Sequence, residues 1–440
     1  MLIFFTIQLV YLLFSGWEIY KIDIYRDAIR AFAVTVAFQV CLYLFDLYNL
    51  SKINADIGDW FIGIIQSFGV GCIILAVIYY LFPSLVISTS IFWTSYVIIC
   101  LCIVLWRLLY YNILKNRLFS IPVVVIGTGR LAVDIAKEVE GRSDSGFRIA
   151  AFFGCDNPEY NPNKAKVFFD FSTLCVFCQD YEIKRIIVAL DDRRGKTPTN
   201  DLLRCKLKGV EIEEGIGFYE AIAAKILVEK VKPGWLIFSE GFRTSRLQLF
   251  IKRIMDVILS LFGLVASLPI TSLIALIIKI ESPGPIFYQQ ERVGERGETF
   301  KVIKFRSMRQ DAEKNGAVWA QKNDPRVTRV GAFIRKTRID EIPQMWNVLR
   351  GEMSFVGPRP ERPVFVEELV DLIPYYSLRH SVKPGITGWA QICYPYGASV
   401  EDALRKLEYD LYYIKNMSFF LDSLIVFRTI KTILFQQGSR

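Results

Sequence analysis

The residues with the clearest chemical potential are the adjacent acids Asp340-Glu341, which close a run dense in cations. Residues 292–338 hold 13 basic and five acidic side chains, a net of +8 within a whole-chain net of +9. The segment Ile334-Arg335-Lys-Thr-Arg338-Ile339-Asp340-Glu341-Ile-Pro343-Gln344 reads as the opening of a helix. Asp340 stands at the N-cap and Pro343 in the first turn, and the helix is expected to run through Trp346 and Leu349 to Gly351. A helix N-terminus attracts phosphate through its free N–H groups and dipole. A carboxylate there, ringed by arginines, can attack a phosphorus atom or hold Mg²⁺. Alone, such a pair is ordinarily only a cap, and a basic face ordinarily only touches anionic lipid. The single histidine, His380, argues against poly-His metal sites and Ser-His-Asp chemistry and reads as structural.

The elements that must position this pair belong to an apolar chain. Its 440 residues are 52% hydrophobic, with a mean hydropathy of +0.32. Together with the uneven charge, this excludes a soluble enzyme, a secreted disulfide scaffold and a disordered chain. Residues 1–110 carry five basic and six acidic groups, residues 111–246 carry 21 and 18, and residues 247–440 carry 27 and 20. Residues 60–82 and 85–106 are uncharged and long enough for a ~30 Å hydrocarbon core. Residues 1–17 and 31–45 are apolar but shorter, which makes four helices in a membrane region over 1–115. The first segment lacks the basic start and the small-residue cleavage site of a signal peptide. Arg107, Lys115 and Arg117 follow the fourth segment, whereas the link before it has no basic residue. The positive-inside tendency therefore puts the N-terminus and everything after residue 115 on the cytoplasmic side.

A further uncharged run, 257–278, is flanked by Arg243, Arg246, Lys252 and Arg253 on one side and by Arg292, Arg296, Lys301 and Lys304 on the other. A spanning helix would place one cluster outside. Ser267 and Pro269 near its middle can break the helix, and a Ser hydroxyl can satisfy a carbonyl that Pro leaves unpaired. The reading is a re-entrant helix-break-helix over 250–280.

Between these parts, Ile121-Pro-Val-Val-Val-Ile-Gly127 reads as a buried strand. It runs into Gly127-Thr-Gly129-Arg-Leu-Ala132, the G-x-G-x-x-A form of the dinucleotide fingerprint. A second strand ends at Gly154-Cys-Asp156 and a third at Asp191-Asp192. This pattern supports a Rossmann-like domain over about 120–240. Whether it binds a nucleotide is a separate question. The one Tyr-x-x-x-Lys pair, Tyr160 and Lys164, falls in a loop with two prolines, which favours a structural or regulatory role. The nine cysteines contain one C-x-x-C, Cys175 and Cys178, with no second pair to complete a zinc site. They read as reduced thiols.

Two longer motifs, Gly351-Glu-Met-Ser-Phe-Val-Gly357-Pro358-Arg359-Pro360 and Lys383-Pro-Gly385-Ile-Thr-Gly388-Trp389-Ala-Gln391, closely resemble the signatures of bacterial sugar transferases. These are the monotopic phosphoglycosyl transferases that start glycan assembly on a polyprenyl phosphate. The resemblance covers about residues 246–436, and the upstream helices and Rossmann-like domain look like the large form of the family. Cys393-Tyr-Pro-Tyr-Gly-Ala-Ser-Val400 is similar to the exosortase-associated exopolysaccharide branch. The fold class implied is a membrane helical bundle, an α/β Rossmann-like middle domain and an α/β monotopic catalytic domain, 246–440, with a re-entrant membrane helix.

The resemblance implies a UDP-sugar donor (UDP-glucose or UDP-galactose), undecaprenyl phosphate as acceptor, and Mg²⁺. Asp340 would match the family's nucleophile, attacking the β-phosphate and releasing UMP. Glu341 would help hold Mg²⁺ or orient Asp340. Arg359, Arg335, Arg379 and Lys383 would bind phosphate, and Asp410 aligns with an acidic position of the family. The expected location is a bacterial inner (cytoplasmic) membrane, with the catalytic domain on the cytoplasmic face. The expected partners are the membrane and a second copy of the chain, not nucleic acid. Two departures stand out. The break is Ser267-Leu268-Pro269, where the family often has Ser-Pro adjacent. After Gln391 comes Ile-Cys-Tyr-Pro-Tyr-Gly where many relatives have an Asn-Gly-Arg type of turn, so sugar preference does not carry across. Residues 418–435, with Asp422, Arg428 and Lys431 in an apolar context, suit an interfacial helix. A membrane-anchored NAD-dependent dehydratase or epimerase, and a non-catalytic export scaffold, both leave Asp340 and these motifs unexplained.

Overall fold

The computed structural model describes residues 1–45, 47, 57–115, 119–142, 145–154, 166–191, 197–309, 324–395, 397 and 399–434. Arg117, Asp156, Tyr160, Lys164, Asp192, Tyr396 and Ala398 lie outside the described residues. The chain divides into two compact units, 1–213 and 214–440.

The first unit begins with α1 (Leu2–Leu44), α2 (Ile57–Leu81) and α3 (Thr89–Lys115). Gly16, at φ 75°, takes a non-helical conformation inside α1 and separates an apolar Leu2–Trp17 from Asp23–Leu44. With Ile62–Leu81 and Thr89–Tyr110 these make the four expected apolar segments, and all but the first are long and apolar enough to cross a membrane. The second segment starts earlier than expected, because Asp27 is buried and paired with Arg30 at 3.2 Å. Phe38 packs on Phe68 with ring centroids 5.0 Å apart, and Phe68 on Tyr96 at 5.3 Å.

The rest of this unit is a sheet with helices: β1 (Ile121–Ile126), α4 (Arg130–Gly141), β2 (Phe147–Phe153), β3 (Val167–Phe168), α5 (Leu174–Asp180), β4 (Arg185–Val188), α6 (Thr199–Leu207) and β5 (Glu211–Glu214). The strand order is β3-β2-β1-β4-β5, and β1 pairs in parallel with both β2 and β4. This is the first five of the doubly wound order 3-2-1-4-5-6. Val123 to Ile126 are wholly buried, which explains why β1 is a continuous apolar run and not an alternating one.

The second unit opens with α7 (Gly215–Ala223) and α8 (Pro233–Phe238). Sequence reading gives residues 214–240 to the middle domain, but they pack here. The Trp389 indole donates to the Ala224 carbonyl at 2.9 Å, the Ile226 N–H to the Glu408 carbonyl at 3.0 Å, and Lys415 pairs with Glu220. Next come α9 (Arg246–Glu281), the antiparallel hairpin β6 (Phe287–Val293) and β7 (Thr299–Phe305), α10 (Arg329–Lys336), a 3₁₀ turn (Ile339–Glu341) and α11 (Gln344–Arg350). β8 (Ser354–Val356), α12 (Pro363–Leu372), β9 (Gly385–Thr387), α13 (Trp389–Cys393), α14 (Val400–Lys415) and α15 (Phe419–Leu434) complete it, with β8 and β9 parallel.

Both ends of α9 dock on this same unit. Near its N-terminus Lys252 donates to the Val356 carbonyl at 3.0 Å, and Arg253 donates to the carbonyls of Val348 and Leu349. Near its C-terminus Ile274 and Ile278 pack with Phe305 and Ile334, while Arg306 donates to the carbonyls of Ser282 and Pro283. Between the ends Leu261, Phe262, Val265, Leu268 and Ile270 are exposed. Across the expected break at Ser267-Leu268-Pro269 the backbone keeps its helical assignment, with Pro269 inside the helix and the Ser267 hydroxyl donating to the Leu264 carbonyl at 3.2 Å. α15 carries both exposed apolar and buried charged side chains. Phe419, Phe420 and Phe427 are exposed, while buried Asp422 pairs with Lys252 at 2.8 Å.

Candidate active site

Three local features set the acidic pair. α10 ends in Arg335 and Lys336, then Arg338 adopts a left-handed φ of 56° and turns the chain into the 3₁₀ segment. Ile339 anchors that segment on the Phe305–Ile334 cluster, and Asp340 and Glu341 are each left only 8% exposed. Asp340 is therefore inside a turn that precedes α11, not its N-cap. Pro343, which has no N–H to leave unpaired, takes the cap position.

α11 is fixed to β7 by the buried Asn347, whose amide donates to the Lys301 carbonyl at 2.8 Å and accepts from the Ile303 N–H at 3.0 Å. That register sets Lys304 against Glu341, with Nζ to Oε1 at 3.2 Å. Arg359 reaches the same oxygen at 2.7 Å, and Arg338 lies 3.7 Å from the other. Burial alone would raise the Glu341 carboxyl, but Arg359, Lys304 and Arg338 outweigh it and hold the group well below the usual carboxylate range. Asp340 goes the other way. Burial first, and the Glu341 charge second, push it up to about 6 against the pull of Lys304, Arg335 and Arg359. Arg335 lies close enough to act on Asp340 and, among the described residues, forms no ion pair. Two adjacent carboxylates thus have separate tasks open to them: Glu341 is a fixed anion that orders cations, and Asp340 is a basic carboxylate available to attack.

Arg359 is placed by the two signature motifs together, because they form the neighbouring strands β8 and β9. A Cβ on Gly385 would collide with the Gly357 N–H, and one on Gly388 with the Gly357 carbonyl, so these backbones cross only as glycine. Arg379 is buried and donates to the Arg359 carbonyl and to Asp410, both at 2.9 Å, and to the Tyr376 hydroxyl. Arg379 and Asp410 therefore stand behind Arg359 as its support, and burial pushes Asp410 up to about 6 despite its partner. The Lys383 ammonium lies beside Gly351 and Arg253, at the C-terminal end of α11. Asp340, Glu341, Arg335 and Arg359 are brought together; Arg379, Asp410 and Lys383 are not in that cluster. His380 is pushed down to about 4, by burial and then by Arg379, so it stays neutral.

Lys304 and Arg338 were not singled out as site residues by sequence reading. For Lys304 a signal existed: it shares a strand face with Phe300 and the buried Val302, and a Lys on an apolar face calls for a carboxylate partner. Among the described residues no group of three or more His, Cys, Asp or Glu is placed to hold a metal. Mg²⁺ is commonly held by one or two carboxylates plus substrate phosphates. Asp340 and Glu341 are two carboxylates, so they could hold such a metal only together with substrate oxygens and not as a cage built by the protein alone.

Residues 247–436 match the bacterial sugar transferase family. A UDP-N-acetylgalactosamine-undecaprenyl-phosphate N-acetylgalactosaminephosphotransferase of Aeromonas hydrophila is 44% identical over 239 residues, 54% of this chain and 56% of its own. The undecaprenyl-phosphate glucose phosphotransferase of Komagataeibacter xylinus is 30% identical over 406 residues, 90% of this chain and 75% of its own. The UDP-glucose:undecaprenyl-phosphate glucose-1-phosphate transferase of Escherichia coli (strain K12) is 46% identical over 182 residues, 41% of this chain and 39% of its own. The chain thus spans about half the length of the Aeromonas protein and less of the Escherichia one. It belongs to the bacterial sugar transferase family, and Asp340 and its cations fall within the matched region.

Proposed function

We propose that the protein transfers a sugar 1-phosphate from a UDP-sugar to undecaprenyl phosphate on the cytoplasmic face of a bacterial inner membrane, beginning exopolysaccharide or other glycan assembly. The observation that carries this is the contrast within the acidic pair, a buried basic Asp340 that forms no ion pair among the described residues beside a Glu341 that faces three cations. The Asp340 carboxylate attacks the β-phosphorus. The bond from that phosphorus to the bridging oxygen breaks, and UMP leaves with the electron pair. The product on the protein is an aspartyl phosphosugar. An oxygen of the lipid phosphate then attacks the same phosphorus and frees Asp340, which yields the polyprenyl diphosphate sugar. Arg359 and Arg335 bind the diphosphate oxygens as guanidinium forks, while Glu341 holds Arg359 in place and also pairs with Lys304. Mg²⁺, held by Asp340 and Glu341, would offset the charge of the diphosphate and of the leaving UMP.

The membrane elements fit this reading. α9 spans 36 residues, about 54 Å if straight, yet its two ends dock on one unit and its middle is apolar and exposed. This supports a re-entrant helix that enters and leaves on one side and brings the site to the lipid phosphate. The strand order of the sheet supports a Rossmann-like domain.

The test is a panel of UDP-sugars with undecaprenyl phosphate, assayed for UMP release with Mg²⁺ and with EDTA. UDP-N-acetylgalactosamine joins UDP-glucose and UDP-galactose, because relatives named for both N-acetylgalactosamine and glucose match well. The reading requires one donor to yield UMP together with lipid-linked sugar, and EDTA to abolish both. No UMP from any donor would overturn it.

A further inference from the structure

The fingerprint Gly127-Thr-Gly129-Arg-Leu-Ala132 is a sequence signature that sugar transfer leaves unused. In a dinucleotide-binding fold its glycines let a pyrophosphate approach the first N–H groups of the following helix. Here those donors are already taken. The Asp191 carboxylate, just past the end of β4, accepts from the Arg130 N–H at 2.8 Å and from the Leu131 N–H at 3.3 Å.

We infer that Asp191 closes this loop by standing where a cofactor's pyrophosphate would stand, so that the sheet domain holds no dinucleotide. The glycines bear this out, because each is required by the chain itself. Gly127 sits at φ 116°, and a Cβ on it would come within 2.5 Å of the Ala189 carbonyl oxygen. A Cβ on Gly129 would collide with the Asp191 carboxylate, and one on Gly154 would come within 3.1 Å of Gly127 and Thr128. The room that Gly127 and Gly129 make is filled by Ala189, just past β4, and by Asp191. A diphosphate would have to displace an anion that already satisfies both donors, and it would meet like charge in doing so. The motif is thus explained as a packing device between β1, β2 and β4. The inference stands on this geometry and does not depend on the transferase reading.

The test is amide hydrogen exchange of the peptide covering residues 127–135 in the full-length protein, alone and with NAD⁺ or inorganic pyrophosphate at about 1 mM. The readout is local, so binding of either anion at the basic catalytic site does not register in it. In the wild type we expect slow exchange that neither compound changes. In D191A we expect exchange at least about tenfold faster, slowed again by pyrophosphate. D191N keeps one of the two acceptor oxygens and should exchange more slowly than D191A and faster than the wild type, which separates loss of the cap from general misfolding. Slower exchange of the wild-type peptide on adding NAD⁺ would overturn the inference, even if D191A does not fold. So would a D191A loop that exchanges at the wild-type rate, or one that opens and ignores pyrophosphate.

Discussion

Asp340 and Glu341 carry the same functional group and are driven in opposite directions by their surroundings. Glu341 has three cations and keeps its charge; Asp340 has burial and a like charge beside it, and is raised to about 6. Attack on phosphorus needs the ionised form. The burst of UMP in the absence of acceptor, which isolates the first step, should therefore fall about tenfold per pH unit below about 6 and level off above it. A burst that is flat from pH 5 to 7 would contradict this assignment. The same shift carries a stability cost. The folded protein holds the Asp340 proton more tightly than the unfolded chain does, so stability declines as pH rises from 3.8 to about 6, and the full cost is present at pH 7. D340N removes the charge and should raise unfolding stability by up to about 3 kcal/mol while abolishing transfer. A lower denaturation midpoint for D340N at pH 7 would count against the buried, unneutralised carboxylate.

At the scale of elements, the two signature motifs are one object. β8 and β9 lie side by side, their glycines let the backbones cross, and the loop so formed presents Arg359 to Glu341 while Arg379 and Asp410 brace it from behind. α9 has the other element-scale role, since its N-terminal part meets α11 and β8 and its C-terminal part meets Phe305 of β7 and Ile334 of α10. If it is re-entrant, cysteines introduced at Arg246 and at Pro285, both exposed, should react with an impermeant thiol reagent from the cytoplasmic face alone. Labelling of the two positions from opposite faces of the membrane would make α9 a spanning helix.

Over the whole molecule, the net +8 of residues 292–338 becomes intelligible: Lys304, Arg335 and Arg338 of that run surround the acidic pair, and both proposed substrates carry phosphate. Much of this was legible in the sequence. The acidic pair, the glycine motifs, four apolar segments and the strand-glycine-helix pattern are local signals, and local signals survive in a linear reading. What was missed depends on tertiary pairing. Lys304 reads as one more basic residue until Asn347 sets the register of α11 against β7. The pairing of Arg379 with Asp410, 31 positions away, is of the same kind. Residues 214–240 follow the sheet in sequence, yet their partners are Trp389, Glu408 and Lys415. The fingerprint leaves nucleotide binding open, and the contact that bears on it, Asp191 with the Arg130 N–H 61 positions before it, is tertiary as well.

The central claim is that Asp340 carries the sugar phosphate. A UDP-sugar donor labelled with radioactive phosphorus at the β position, incubated with the protein and Mg²⁺ in the absence of acceptor, tests it most directly. The account predicts label on the wild-type protein, none on D340N, and passage of that label into lipid when undecaprenyl phosphate is added. Label that reaches the lipid at the wild-type rate in D340N would contradict it.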